Sequence, residues 1–367
     1  MKKIILVSFS ILFLAASCNN NTASNNTGPN QGNPSSFLPP TTQIVSTIPA
    51  NGDVNPYGVA FVPNDFPTGA KLNPGDILVS NFNNSKNLQG TGTTIVKVAP
   101  NGTQTLFFQG KAPLGLTTAL AVLKSGFIIV GNLPTTDGKS STAQPGSLLI
   151  LDGNGKLLQT LTDPNLINGP WDMVVNDNGQ NVQAFISNVL SGTVVRYDLT
   201  FSSSGLASQK GTVIASGYTH HPDPSALEVG PTGLVFDSQN NVLYVASTAD
   251  NAIYKIQNAG SATSDGGVGT LVYKDTQHLH GPLGLAQAPN GDLLVTNSDV
   301  VNPDPNQSSE IVEFTTAGNF VKQAAVNANP GGSFGISVSK TQSGNAAILA
   351  AVDDNTANLI LWTIPLQ

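Results

Sequence analysis

A short signature of proline, any residue, glycine and an apolar residue recurs along the chain. Six copies can be aligned: NPYGVAF at 55, APLGLTT at 112, GPWDMVV at 169, GPTGLVF at 230, GPLGLAQ at 281 and GSFGISV at 332. Successive copies begin 51 to 61 residues apart. A period of this length indicates one supersecondary unit that is repeated and packed against its neighbours.

Each copy continues with further strand-like segments, which we name b, c and d after the signature strand a. Strand b ends in a column of small polar residues: Asn81, Asn132, Asn188, Ser247, Asn297 and Asp353. An apolar strand c follows, and turn signals such as Asn101-Gly102 lead to strand d. Four short strands per repeat, without helical periodicity, predict an all-β fold: a six-bladed β-propeller with four-stranded blades.

The last repeat has no fourth strand of its own before Gln367. The segment QIVSTI, residues 43–48, has strand character and precedes the first repeat. We expect it to pair with the last blade and close the ring, because closure removes an exposed sheet edge. The propeller then covers residues 43–367.

The N-terminus is typical of an export signal. Lys2 and Lys3 precede an apolar stretch, residues 4–14, that is too short to span a bilayer permanently. The following Ala15-Ala16-Ser17-Cys18 resembles the lipobox of bacterial lipoproteins, although Ala15 stands where that family more often has Leu or Val. The resemblance implies removal of a signal peptide, 1–17, and acylation of Cys18, palmitate included. An ordinary secretory signal is the alternative.

Residues 18–42 join the predicted lipid anchor to the propeller. After Cys18 this segment is rich in Asn, Ser, Thr and Pro and almost free of charge, which predicts a disordered tether. The lipid makes the membrane a partner and places the protein in the cell envelope, outside the cytoplasm. In a Gram-negative organism, Asn19 after the cysteine resembles outer-membrane sorting.

The composition argues against a nucleic-acid partner. The formal net charge is −7, charged residues make up 10% of the chain, and Arg196 is the single arginine. Nucleic-acid binding needs clustered Lys and Arg. We therefore expect no nucleic acid among the partners.

The two faces of the predicted ring differ. The b–c and d–a connections emerge on one face and include long segments, such as residues 82–93, 133–146 and 217–229, whereas the other face has mostly tight turns. Binding groups usually lie in long loops on a rigid scaffold, so this loop-rich face is predicted to carry the function. All four histidines lie in its connections: His220, His221, His278 and His280.

Imidazole and carboxylate groups near the channel mouth predict a divalent metal site, zinc or calcium. Asp172 stands where the other five copies have glycine, so we expect its carboxylate near the same mouth. The candidate metal or ligand residues are His220, His221, His278, His280, Asp172, Asn168 and Asp353. The polar column, to which Asp353 belongs, recurs in every blade, which also favours a structural role through hydrogen bonds to the backbone.

The spacing and signature over residues 43–367 resemble the NHL-repeat propellers, a superfamily of binding scaffolds, lactonases and lyases. Peptidylglycine amidating lyases in it hold a histidine-bound metal in the channel, which only His280 and its neighbours match here. Gluconolactonase-type propellers place a glutamate before the Gly-Pro step, and no copy has one. We predict a lipid-anchored propeller that binds a small molecule or protein on the loop-rich face. The alternatives are a metal-dependent hydrolase or lyase at the channel mouth and a passive envelope module.

Overall fold

The computed structural model describes residues 38–304, 306 and 308–366. The predicted signal peptide, Cys18 and the tether up to residue 37 lie outside the described residues. Within the described part, no helix is both long and apolar enough to cross a membrane.

The chain forms six antiparallel four-stranded sheets arranged as a β-propeller, which confirms the predicted fold. The first strand is β1 (Gln43–Ser46). Blade 1 contains β2 (Val54–Phe61), β3 (Ile77–Asn83), β4 (Thr94–Val98) and β5 (Gln104–Gln109). Blade 2 contains β6 (Leu116–Val122), β7 (Phe127–Asn132), β8 (Ser147–Asp152) and β9 (Leu157–Leu161). Blade 3 contains β10 (Pro170–Asn178), β11 (Asn181–Asn188), β12 (Thr193–Ser202) and β13 (Gly205–Ser216).

A small hairpin, β14 (His221–Asp223) and β15 (Leu227–Val229), separates blades 3 and 4. Blade 4 contains β16 (Pro231–Asp237), β17 (Val242–Ser247), β18 (Ala252–Gln257) and β19 (Thr270–Tyr273). Blade 5 contains β20 (Pro282–Gln287), β21 (Leu293–Asn297), β22 (Ser309–Phe314) and β23 (Phe320–Asn327). Blade 6 contains β24 (Ser333–Lys340), β25 (Ala346–Asp353) and β26 (Asn358–Pro365). Two single 3₁₀ turns, Ser140–Thr142 and Ala259–Ser261, lie in connections.

The N-terminal strand closes the ring, as predicted. Strand β1 pairs antiparallel with β26, so that Gln43 lies opposite Leu361 and Ser46 opposite Asn358. Ordered contacts begin before β1: Leu38 is buried among apolar residues of blades 5 and 6, and the Thr42 N–H donates to Leu361 O at 2.8 Å. The last residues of the predicted tether, from 38, therefore belong to the packed domain.

The hydrophobic core lies between the blades. An apolar cluster fills every interface between adjacent blades, and a further cluster lies on the channel axis. Since side chains alternate between the two faces of a strand, each blade offers an apolar face to both neighbours. This explains why β3 is buried along its whole length while the outer strand β9 is largely exposed.

Three asparagines of the polar column fix the connections that enter the inner strands of blades 2, 3 and 5. The side-chain oxygen of Asn132 accepts from the Gly115 N–H at 2.8 Å, and that of Asn188 accepts from the Asn168 N–H at 3.0 Å. Asn297 accepts from the His280 N–H at 3.1 Å. These bonds confirm a structural role for the asparagines of the column.

The second copy of the signature, APLG at 112–115, does not occupy the same place in its blade as the other copies do in theirs. Pro56 lies opposite Asn81 in blade 1, and blades 3, 4 and 5 have the same proline pairing. In blade 2, Leu116 rather than Pro113 lies opposite Asn132. Thr118, two residues later, therefore occupies the channel position that glycine occupies in other blades.

The ring closure can be tested on β1. Val45 is 8% exposed and packs in the cluster between blades 6 and 1, whereas Ile44 on the same strand is 60% exposed. We expect Val45→Asp to lower the free energy of unfolding by about 3 kcal/mol or more, because it buries an unpaired charge. The matched variant Ile44→Asp should cost no more than about 1 kcal/mol, through strand propensity. Equal losses in urea denaturation would contradict closure by β1.

Candidate functional site

Large side chains divide the central channel into two chambers. Tyr57, Trp171, Leu283 and Phe334 all occupy the variable position of the signature, and their side chains are packed together with Phe82. The Tyr57 ring centroid lies 5.6 Å from that of Trp171, 5.1 Å from that of Phe334 and 4.9 Å from that of Phe82. The cavities on either side of this layer share no lining residue.

The chamber on the loop-rich face, which we call the loop-face chamber, has a volume of about 410 Å³. Its floor includes Tyr57 and Trp171, and its wall comes from the b–c connections of several blades and from the β14–β15 hairpin. A cavity of this size with convergent polar groups is what small-molecule sites have in common. The long connections thus do form a concave site.

The β14–β15 hairpin covers part of this chamber. Gln89, in the b–c connection of blade 1, donates from Nε2 to the Ser225 O at 2.7 Å, and Ser140 of blade 2 hydrogen-bonds Glu228. Leu227 is 2% exposed and packs in the cluster on the channel axis although its φ is +65°. A leucine in this left-handed conformation costs about 1–3 kcal/mol, which its packing offsets.

Several oxygens in the chamber wall have no hydrogen-bond partner within the described ranges. They include Oδ1 of Asn55, Oδ1 of Asn83 and Oε1 of Gln89. The Asp299 carboxylate lies beside them with the backbone of Gly331 as its neighbour. Asn55 is 7% and Asn83 is 2% exposed. Buried polar atoms are normally hydrogen-bonded, and leaving one unpaired costs about 1–3 kcal/mol. A cation or a hydrogen-bond donor that binds these oxygens would therefore be stabilised in the chamber.

The chamber is acidic. Asp223, Glu228, Asp299 and Asp354 line it, and no Lys, Arg or His is among the described residues of its wall. Burial raises the pKa of Asp299 to about 6, and burial together with the neighbouring Asp353 raises the pKa of Asp354 to about 6. Burial also raises the pKa of Glu228. Burial is the largest cause of all three shifts, and the neighbouring histidines offset it only in part for Asp299 and Glu228.

The side chains of the two histidines that precede blade 5 form hydrogen bonds with nearby connections. His280 is 2% exposed; its Nδ1 faces the Asn302 O and its Nε2 faces the Gln277 O at 3.3 Å. Both ring nitrogens thus point at carbonyl oxygens, which disfavours the free lone pair that a metal requires. His278 donates from Nδ1 to the Asp275 carboxylate at 2.6 Å and stacks on Phe320 with ring centroids 3.8 Å apart.

The other two histidines are exposed at the start of the hairpin, where His221 Nδ1 lies 3.0 Å from Pro222 O. None of the four histidines is among the described residues that line either chamber. In the described part of the chain, no three His, Cys, Asp or Glu side chains are grouped as metal ligands. The predicted convergence of His220 and His221 with His278 and His280 is therefore not found.

The remaining candidates also lie apart from one another. Asp172 lines the chamber on the opposite side of the aromatic layer, so its expected position at the loop-rich mouth was wrong. The Asp353 carboxylate accepts hydrogen bonds from Asn327 and Thr356, and Asn168 bonds Asn188 through its backbone. Asp353 and Asn168 thus hold the connections around them.

Alignment of the six repeats did not identify these chamber residues, because they lie one or two positions beyond the polar column. The residue after the column faces the channel: Phe82, Leu133 and Val189 in blades 1–3, and Thr248, Ser298 and Asp354 in blades 4–6. Asn83 and Asp299 stand two positions after it. The change from apolar to polar side chains around the ring was visible in the sequence and could have indicated the site.

No protein-family model matches the sequence, and no curated protein matches it. The fold is similar to that of a gluconolactonase from Xanthomonas campestris, at 13% identity over 88% of this chain and 89% of that chain, with a TM-score of 0.52. It is also similar to a luciferin-regenerating enzyme, at 10% identity over 88% and 95% of the two chains with a TM-score of 0.53. A calcium-binding protein, regucalcin from Agrobacterium tumefaciens, shares 10% identity over 88% and 95% with a TM-score of 0.52. At these identities the likeness establishes the propeller fold alone.

Proposed function

We propose that the protein is a binding propeller whose loop-face chamber takes a divalent cation of the calcium type, alone or together with a small ligand. One observation carries the proposal: oxygens of Asn55 and Asn83 that have no hydrogen-bond partner among the described residues line, together with the Asp299 carboxylate, an acidic chamber whose described wall contains no cationic side chain. A positive charge in the chamber would satisfy these oxygens and stabilise the carboxylates of Asp299 and Asp354.

The donor chemistry favours calcium over zinc. Amide and carboxylate oxygens suit hard cations, and calcium accepts many oxygen ligands in irregular geometry. Zinc prefers imidazole and thiolate, and the histidines lie outside the chamber. Asn55, Asn83 and Asp299 would hold the ion, with Asp354 adding charge.

Titration calorimetry of the full chain with calcium chloride tests the site. We expect Asp299→Asn and Asp354→Asn each to weaken calcium binding about tenfold or more, because each removes a negative charge from a buried site. Calcium at about 100 times its Kd should also stabilise the wild-type fold by about 2.7 kcal/mol in thermal denaturation.

Asp65→Asn is the matched control, since Asp65 is 59% exposed in the a–b connection of blade 1 on the other face. It should bind calcium as the wild type does. Zinc, magnesium and a small organic ammonium ion serve as competing probes. Calcium binding that is absent, or unchanged in the Asp299→Asn, Asp354→Asn double variant, would contradict the proposal.

A metal-dependent hydrolase or lyase is the second candidate, supported by the propeller enzymes with a similar fold. A bound divalent cation polarises a carbonyl oxygen of a substrate. Asp354, with a pKa of about 6, can accept a proton near neutral pH from its place in the chamber wall. The residues thus fit a general-base role, and the repeats resemble those of the NHL type.

Hydrolysis of aliphatic δ-lactones, with calcium present, tests this enzymatic function. We expect kcat/KM to fall about 100-fold in Asp354→Asn, because the candidate base is lost, while Asp65→Asn retains the wild-type value. A rate in the wild type that is equal to that of Asp354→Asn would exclude this role of Asp354.

We also propose that Cys18 is acylated and anchors the propeller in the envelope membrane, with outer-membrane sorting in a Gram-negative cell. The lipobox-like Ala15-Ala16-Ser17-Cys18 supports this. Cys18→Ala should move the protein from the membrane to the soluble envelope fraction and abolish palmitate labelling. Asn19→Asp, the matched control, should keep the label. Membrane retention of unlabelled Cys18→Ala protein would contradict the anchor.

A further inference from the structure

The second chamber lies on the other side of the aromatic layer, towards the face with the tight turns. It has a volume of about 460 Å³, and its wall consists of the inner strands β2, β6, β10, β16, β20 and β24. The wall combines backbone and polar groups with apolar side chains, among them Leu120, Met173, Leu234 and Ile336. Asp172 is the one titratable side chain among the described lining residues.

The carboxylate of Asp172 is held in place by the backbone. Its Oδ1 accepts from the Met173 N–H at 2.8 Å, and its Oδ2 accepts from the Leu234 N–H of the next blade at 3.1 Å. Each carboxylate oxygen has a second lone pair, so both can accept a further hydrogen bond. In the described structure no ion pair involves Asp172.

Asp172 is not needed to build the blade. Blades 1, 4, 5 and 6 have glycine at this position, Gly58, Gly233, Gly284 and Gly335, and blade 2 has Thr118. A side chain at Gly284 would collide with the carbonyl oxygen of Phe334 on the next inner strand. In blade 3, Asp172 lies opposite Ser187 on β11, and its carboxylate reaches into the chamber.

We propose that the second chamber binds a primary amine as its ammonium ion, with the ammonium group on the Asp172 carboxylate and the hydrocarbon part of the ligand against the apolar side chains of the wall. A buried charge is stable only when it is paired and hydrogen-bonded, and an ammonium group supplies both the charge and three donors. The apolar side chains of the wall stabilise the hydrocarbon part of the ligand by removing it from water. The volume is within the range of small-molecule sites. The proposal is independent of the cation site in the loop-face chamber.

The charge state of Asp172 decides the preference for an amine. Burial raises the pKa of Asp172 to about 7, so the carboxylate is charged above that pH and neutral below it. Of the strands packed against β10, namely β6, β7, β11 and β16, only β16 carries a titratable side chain. This is Asp237, which binds Asn240 and does not line the chamber; Asp177, on β10 itself, binds the Lys124 N–H.

Calorimetric titration of the full chain with 2-phenylethylamine and 2-phenylethanol tests the proposal, because the two probes share one carbon skeleton. At about pH 8.5 we expect the wild type to bind the amine about tenfold or more tightly than the alcohol, and at about pH 5.5 the preference should disappear although the amine remains protonated. Asp172→Asn should bind both probes with similar affinity at both pH values.

Two further variants locate the effect. Asp172→Gly introduces the residue that blades 1, 4, 5 and 6 have at this position, and it should also lose the preference while remaining folded. The Asp299→Asn, Asp354→Asn double variant should keep it, since those carboxylates line the other chamber. An amine preference that persists in Asp172→Asn, that disappears in the double variant, or that is absent from the wild type at about pH 8.5 would overturn the proposal. The pH comparison in the wild type decides the matter even where a variant fails to fold.

Discussion

The close approach of neighbouring inner strands around the channel determines most of what this propeller can do. A Cβ atom at Gly233, Gly284 or Gly335 would collide with a backbone carbonyl of the next inner strand. Hydroxyl groups reinforce the same contact: Ser187 donates to the Thr232 O at 2.7 Å, and Thr117 donates to the Pro170 O at 2.8 Å. Packing between blades thus favours the glycine of the signature, because a Cβ atom at these positions would collide with the next inner strand.

This tight ring leaves a channel so narrow that side chains alone can divide it. The variable residue of the signature directly precedes the position that makes this close contact. In blades 1, 3 and 6 it is Tyr57, Trp171 and Phe334. Their rings pack edge to face on the axis, a favoured geometry for aromatic pairs. Two chambers with different walls result: residues of the connections form most of one, and residues of the inner strands form the other.

The fold could be predicted from the sequence because its determinants repeat. The signature, the polar column and the spare strand at 43–48 each follow from local pattern, and all of them are found in the ring. The site could not be predicted in the same way, since it depends on departures from the repeat. Blade 2 shows the difficulty. Leu116 replaces the expected proline opposite Asn132, and the similarity of APLG to the signature concealed this shift in alignment. The histidines were predicted to be metal ligands, yet both ring nitrogens of His280 face carbonyl oxygens of the neighbouring connections.

Burial in the narrow ring also explains why the carboxylates on the channel have raised pKa values on both sides of the aromatic layer. Asp172, Asp299 and Asp354 are all removed from water by the narrow ring, and the described structure pairs none of them with a Lys or Arg. Burial without a cationic partner destabilises each charged form, so the fold alone gives no reason to keep three acids there. Arg196 shows the contrast: its guanidinium binds Asp198 and two carbonyl oxygens between blades 3 and 4. Asp353 shows a second way to stabilise a buried carboxylate, since Asn327 and Thr356 donate hydrogen bonds to it. A cation bound in either chamber would do the same for the carboxylates on the channel.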